Sequence, residues 1–367
     1  MNRHGMIRAG LLLACLALAA CEPEPKLFDR DSFPDRLSEW GLLTVAGGDL
    51  RLHSESTAYD LNAPLFTDYA HKLRTVWTPA DATGSIAADG ELLLPVGAVI
   101  TKTFYYPADG QGMMHVDADP VQFTDDGLNL DQVYLMETRL LVHLEDGWHG
   151  LPYVWNEDQT DATLEITGGV YPVNVTGIGE FNYVVPDFNQ CQGCHETDLT
   201  AAKMGPIGLK ARHLDKAYPW LHGADDQLGH LVQRHRLDGL ADADYRANAG
   251  PGDMEASLDH RARSYLDINC GHCHSPVGAA DTSGMFLNIE ETDPLKLGVC
   301  KPPVAAGQGT GGFLFGIDPG NGKESILTFR MESLDPGAMM PELGRSLVHE
   351  EGVELIIDWI EAMSGEC

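Results

Sequence analysis

The sequence predicts a multidomain chain: an N-terminal antiparallel all-β, sandwich-like domain followed by two mainly α-helical modules. Three observations predict it. Between about residues 44 and 185, short β-prone runs recur between Asp-Gly turns. After Pro186 the pattern changes to amphipathic helix and loop. A C-x-x-C-H run then occurs twice, as Cys191-Gln192-Gly193-Cys194-His195 and as Cys270-Gly271-His272-Cys273-His274. The boundaries that follow are 1–20 for an export signal, 21–36 for a linker, 37–185 for the β-rich domain, 186–256 for the first module and 257–367 for the second.

Arg3 and Arg8 form a basic n-region, and Ala9 to Ala20 form an apolar run too short to span a bilayer as a stable helix. Leu18-Ala19-Ala20-Cys21 resembles a bacterial lipobox, in which the cysteine is lipidated. The expectation is therefore an exported body tethered by lipid at Cys21 to the inner or outer membrane, facing the periplasm or the cell surface. Glu22 to Arg36, with Pro23, Pro25 and Pro34 among charges, reads as the linker.

The β-prone runs are Leu92 to Leu94, Ala98 to Ile100, Thr103 to Tyr106, Val133 to Leu144, Tyr153 to Trp155, Thr163 to Thr167 and Tyr171 to Val175. Asp89-Gly90, Asp109-Gly110, Asp126-Gly127 and Asp146-Gly147 punctuate them, the spacing of an antiparallel sandwich or barrel. His53, His71, His115, His143 and His149 show no metal-ligand spacing, so docking or support is the expected role of this domain.

In the second half, Gln227 to Leu237 places Leu228, Leu231 and Val232 on one face. Ser257 can cap a helix running through Asn269 into the second C-x-x-C-H run. A last helix after Ser346 carries Val353, Ile356, Ile357, Ile360 and Met363 on one stripe.

C-x-x-C-H is the attachment signal of a covalently bound c-type haem. Cysteines three apart lie on one side of a helical turn and can both reach the vinyl groups at one haem edge. The histidine that follows then binds iron from below. A zinc ribbon also carries paired cysteines, but with some 15 to 20 residues between the pairs, and a thioredoxin-like site needs only one pair. Neither explains a histidine after both. The reading is two c-type haems, anchored at Cys191, Cys194, Cys270 and Cys273, with His195 and His274 as proximal ligands.

For the distal ligand of the second iron the leading candidate is Met340, in Ala338-Met339-Met340-Pro341-Glu342-Leu343-Gly344, with Met339 next. Class I cytochromes c resemble this pattern, a methionine before proline and ahead of a closing helix. Met285 and Met331 are weaker. For the first iron Met204 is nine residues beyond His195, His213, His222 and Met254 are alternatives, and an open position also fits. Cys300 and Cys367 are left as an even pair, expected to form a disulfide in an oxidising compartment.

The chain carries 55 acidic and 24 basic residues, a formal charge of −31, spread along its length. That argues against a nucleic-acid partner and favours encounter with a basic face on another redox protein.

Four further stretches carry a resemblance. They are Tyr59-Asp60-Leu61-Asn62-Ala63-Pro64-Leu65-Phe66-Thr67-Asp68-Tyr69, Tyr153-Val154-Trp155-Asn156-Glu157-Asp158-Gln159-Thr160-Asp161-Ala162, Pro206-Ile207-Gly208-Leu209-Lys210-Ala211-Arg212 and Met340-Pro341-Glu342-Leu343-Gly344-Arg345-Ser346-Leu347. With the haem motifs, they make the chain resemble the dihaem c-type cytochrome lipoproteins often encoded beside a parallel β-helix lipoprotein. The resemblance implies haem binding, electron transfer and a β-helix lipoprotein as partner, and supplies no substrate. The expected function is a membrane-tethered carrier of single electrons. The alternatives are a dihaem peroxidase-like enzyme, with no strong distal ligand on the first iron, and the electron-accepting haem subunit of an envelope oxidoreductase complex.

Overall fold

The computed structural model describes residues 22–116, 121, 123, 127–220, 223–239, 245–304 and 307–367, so the export signal, Cys21 and His222 lie outside the described residues. At its centre is a six-stranded antiparallel meander of β1 (Thr57–Tyr59), β2 (His71–Trp77), β3 (Val99–Pro107), β4 (Val133–Leu144), β5 (Gly147–Trp155) and β6 (Ala162–Leu164), in which neighbours in space are neighbours in sequence. The runs from Ala98 and from Thr103 are one continuous strand, β3. Strand β2, which is not among the β-prone runs of the sequence, alternates Lys72 and Arg74 with Leu73 and Thr75, so that its charges fall on one face.

The two faces differ. Leu73, Val99, Tyr105, Leu140, Val142, Leu151 and Tyr153 point to one side, where they share a core with Trp40 and with a three-stranded sheet of Leu43–Ala46, Asp49–Leu52 and Leu128–Asn129. Trp40 Nε1 donates to the Tyr153 hydroxyl at 2.8 Å, and that hydroxyl donates to the Pro34 carbonyl at 2.9 Å, so the polar atoms buried there are satisfied.

The opposite face has three zones. At one end Val76, Ile100, Leu141 and Trp148 pack against Leu209, Leu214, Leu228 and Ile268 from the second half of the chain. Each such side chain gains about 1.5–3 kcal/mol on burial, so the C-terminal half is fixed on the sheet. At the other end Phe104, Tyr106 and Met136 meet Val175 and Tyr183 of the hairpin β7 (Gly169–Thr176) and β8 (Gly179–Val185). Between these zones the face is charged: Lys72, Arg74, Lys102, Glu137 and Arg139.

The expectation of two mainly helical modules is not met. The chain is 28% strand and 22% helix. Among the described residues of 186–256 the helices are short, α1 (Phe188–His195), α2 (Ala211–Leu214) and α3 (Gln227–Gln233), with two hairpins, Glu196–Asp198 with Lys203–Met204 and Ala217–Trp220 with Gly223–Asp226. Gly205, Pro206 and Gly208 break the runs a longer helix needs. From residue 257 on, α4 (Leu258–Asn269), α5 (Pro294–Leu297), α6 (Ile326–Glu332) and α7 (Glu350–Glu361) are spaced by long loops around one core of Leu266, Leu297, Met331 and Ile356. Cys300 and Cys367 form a disulfide that ties the last residue to the loop after α5. Among the described residues no helix is long and apolar enough to cross a membrane.

The Tyr59–Tyr69 stretch joins the halves. Asn62 Nδ2 donates to the carbonyls of Arg212, Asp215 and Asn248, the Phe66 amide donates to Asn269 Oδ1 at 2.8 Å, and Asp68 Oδ1 accepts the amides of Ser346 and Leu347. One loop thus holds the segments around Arg212 and Asn248, the residue before the second C-x-x-C-H run and the turn after the Met340 segment.

Candidate haem-binding site

Helix α1 begins where the first motif needs it. Asp187 accepts from the Gln190 amide at 2.8 Å, and the Gln190 side chain accepts from the Asp187 amide at 3.0 Å, a reciprocal N-terminal cap. The turn that follows puts Cys191 and Cys194 on one side and ends at His195. The second motif continues α4, which Ser257 caps. The Cys270 amide still bonds to Leu266 O, and the His274 amide to Cys270 O.

Both terminal histidines are held the same way. His195 Nδ1 lies 2.9 Å from the carbonyl of Gly205, and His274 Nδ1 lies 3.2 Å from the carbonyl of Met285. A carbonyl only accepts, so Nδ1 carries the proton and donates it, leaving Nε2 with a bare lone pair. Burial lowers the pKa of His195 to about 3 and also lowers that of His274, so both rings are neutral at physiological pH. A neutral imidazole with its second nitrogen tied to a carbonyl is the form that ligates a metal.

The four motif cysteines are not in disulfides. Burial raises the Cys191 and Cys273 thiols to about 11 and Cys270 to about 12. A thioredoxin-like pair needs a lowered thiol, so these belong to a different chemistry. No group of three or more His, Cys, Asp or Glu able to hold a metal ion occurs among the described residues, which removes support from the zinc ribbon.

The fold brings the motifs together from 79 positions apart. The Cys194 thiol and the Glu342 carboxylate both lie in the field of the Cys273 thiol. His195 feels His272, and both feel Lys102. Leu343 lies over the first motif, 3.9 Å from where a Cβ on Gly193 would stand. The Met340–Leu343 segment therefore sits at the junction of the two motifs. Its backbone is fixed by the Met340 amide to Arg330 O at 2.9 Å and by Arg345 Nη2 to Met340 O at 3.0 Å, while Met339 is buried.

The distal candidates of the first iron fare differently. Met204 immediately precedes the glycine whose carbonyl holds His195 Nδ1 and packs against the core beneath the sheet, so it lies behind the imidazole, on the side of its bonded nitrogen. The hairpin puts it there by pairing Met204 with Glu196 directly after the motif. His213 is spent in a buried network. Its Nε2 is 3.3 Å from Asp267, its Nδ1 3.2 Å from Asn248 Nδ2, and Arg212 clamps the same aspartate at 2.8 and 3.0 Å. Met254 is 76% exposed on the surface. At the second motif Met285 supplies the carbonyl behind His274, and its side chain and that of Met331 pack into the core.

Sequence reasoning misses the third wall of the site. Lys102 and Arg139 project from the sheet into the field of Cys194 and His195. Basic residues inside a β region carry no motif, and only the register of the meander shows them facing the haem segments. A cleft of about 910 Å³ lies beside the second motif, bordered by Gly271 and His272 but by none of the motif cysteines. No family model, curated protein or solved structure matches this chain.

Proposed function

We propose that this chain is a dihaem c-type electron carrier of the cell envelope, lipid-tethered through Cys21. The observation that carries the reading is the matched pair of C-x-x-C-H runs, each with its histidine Nδ1 donated to a backbone carbonyl and Nε2 left free. A haem at each motif supplies reversible one-electron chemistry that polypeptide groups lack. The residues do the rest. Cys191, Cys194, Cys270 and Cys273 anchor the two groups. His195 and His274 ligate iron in a fixed orientation, and the two motifs stand close enough for transfer between the sites. Met340 is the distal ligand proposed for the second iron. The acidic surface steers a partner with a basic docking face, and a β-helix lipoprotein is the partner class that the resemblance adds.

A second reading draws on one observation: Met204 and His213 are committed elsewhere. An exchangeable position on the first iron would suit a dihaem peroxidase-like enzyme, and a fixed dehydrogenase or oxidase partner would make the chain an accepting subunit. Redox titration of the purified holoprotein, with spectra taken before and after carbon monoxide and peroxide, tests the first two, and co-purification of a partner from detergent-solubilised membrane tests the third. Two haems per chain with unchanged spectra support the carrier. Peroxide turnover at one haem supports the enzyme, and a colourless protein made in cells with intact haem-ligation machinery removes every version.

A further inference from the structure

The charged zone of the sheet is costly as it stands. Arg74, Lys102 and Arg139 are directly opposite one another on β2, β3 and β4, and like charges so placed repel. One residue pair along, Lys72 is opposite Phe104. Lys72 Nζ, Lys102 Nζ and the Arg139 guanidinium all stand over the ring of Phe104, at 5.7, 5.0 and 4.4 Å from its centre. Arg139 is paired with Glu137, and Arg74 with Asp60. Neither lysine has a salt bridge or hydrogen bond to a carboxylate among the described residues. Burial and the neighbouring guanidiniums push both lysines well below their ordinary pKa. Such a cluster calls for an anion.

The geometry says which one. Gly150 on β5 is the point where Cys191 touches the sheet, and it shares a face with Arg139, Lys102 and Lys72. From β5 to β2 is three inter-strand steps, about 14 Å. A haem has its vinyl groups on one edge and its two propionates on the other. A haem held through Cys191 and Cys194 and laid along this face would turn its carboxylate edge away from those thioethers, toward β3 and β2.

We propose that Lys102 and Lys72, backed by Arg139, are the seat of the propionate carboxylates of the haem on the first motif. This rests on the two-haem reading above. It gives the β domain a direct part in the redox site: cations at the haem edge favour the reduced form, which carries one more negative charge.

The test is to measure both midpoint potentials of the holoprotein with K102M, K72M, the double variant and K102R, counting haems per chain in each. Two haems per chain in the unsubstituted protein establish the reading on which the proposal rests. One potential should then shift negative in the methionine variants, by a change in the reduction equilibrium of roughly tenfold, about 59 mV for a one-electron couple, and K102R should restore it. The propionate bending bands in resonance Raman spectra should move with it. Two haems with both potentials unchanged in the double variant overturn the proposal and leave the carrier reading standing. Should the methionine variants fail to accumulate, an experimental structure of the unsubstituted holoprotein decides. A propionate oxygen within hydrogen-bond reach of Lys102 Nζ upholds the seat, and propionates turned to solvent overturn it.

Discussion

Gly150 and Cys191 are in contact across the sheet–helix boundary: a Cβ placed on the glycine would stand 3.3 Å from the cysteine Cβ and 3.8 Å from its sulfur. A strand interior is a poor place for glycine, which weakens the strand and often marks a close approach of another segment. Here that approach is made by the first anchoring cysteine. G150V should push α1 off the sheet and impair attachment at the first motif alone. Mass analysis should show one haem per chain instead of two; two haems at full yield would dissociate the contact from haem attachment.

Met340 and Met204 predict opposite outcomes. Met340 is fixed at the junction of the two motifs, and Met204 lies behind the His195 imidazole. M340A should shift one midpoint potential negative and let carbon monoxide bind one haem, whereas M204A should leave both irons spectrally unchanged. A reversal of these two results would remove Met340 from the second iron and make Met204 the distal ligand of the first.

The Arg212–Asp267 pair is buried, with side chains 5% and 1% exposed, and the same carboxylate serves His213 and Asn248. Burial pushes the Asp267 carboxyl up, but its bond to Arg212 and the nearby His213 and Asn248 more than reverse this and hold it below its ordinary value. Removing one partner of such a pair costs about 3–5 kcal/mol, because the other charge is left buried and alone. D267A should therefore lower stability by that order in denaturant titrations, and loss of less than about 1 kcal/mol would mean that the network relaxes freely.

Acid should destabilise the fold in a defined window. Burial lowers His213 and His349 to about 4, against about 6.5 when unfolded. Below pH 6.5 the unfolded chain takes up protons that these folded histidines refuse, so stability is full above that value and falls until both titrate near pH 4. Each group accounts for up to about 3 kcal/mol, with less expected from His349, which is the more exposed of the two. A melting temperature flat from pH 7 to 4 would contradict this. Phe66 stacks on His349 at 4.3 Å, and the Tyr265 hydroxyl lies 3.0 Å from its Nδ1, so H349F should flatten part of the slope.

The Cys300–Cys367 bond closes a separation of 67 residues. C300S with C367S should lower stability by about 2–4 kcal/mol while leaving haem number and both potentials unchanged. A change in either potential would place the C-terminal tie in the haem environment.

The motif pair on which the haem proposal rests is legible in the chain itself, because such a signal is local. Cysteines three apart followed by histidine state a covalent geometry within one helical turn, whatever surrounds it. The strands around Val133 and Tyr171 were legible for a similar reason, the first being an apolar and β-prone run between Asp-Gly turns and the second an alternating run flanked by glycines. Helical content after residue 186 was not, since the approach to a C-x-x-C-H run reads as helix while Gly205-Pro206 and the loops around it set how far helix can extend. Nor could spacing alone show that Met204 folds back behind His195, because a hairpin reverses direction within a few residues.

What the sequence by itself determined is the pair of C-x-x-C-H runs, and so the thiols and imidazoles on which the proposed haem attachment rests. What only the tertiary structure decided is the surroundings: that the two motifs meet, that Gly150 backs Cys191, and that Lys72 and Lys102 of a β meander face a site more than fifty residues further along the chain. Charges on a strand look like solvent-facing positions until strand pairing fixes the register. Only the packing of α1 and α4 on that face turns them inward.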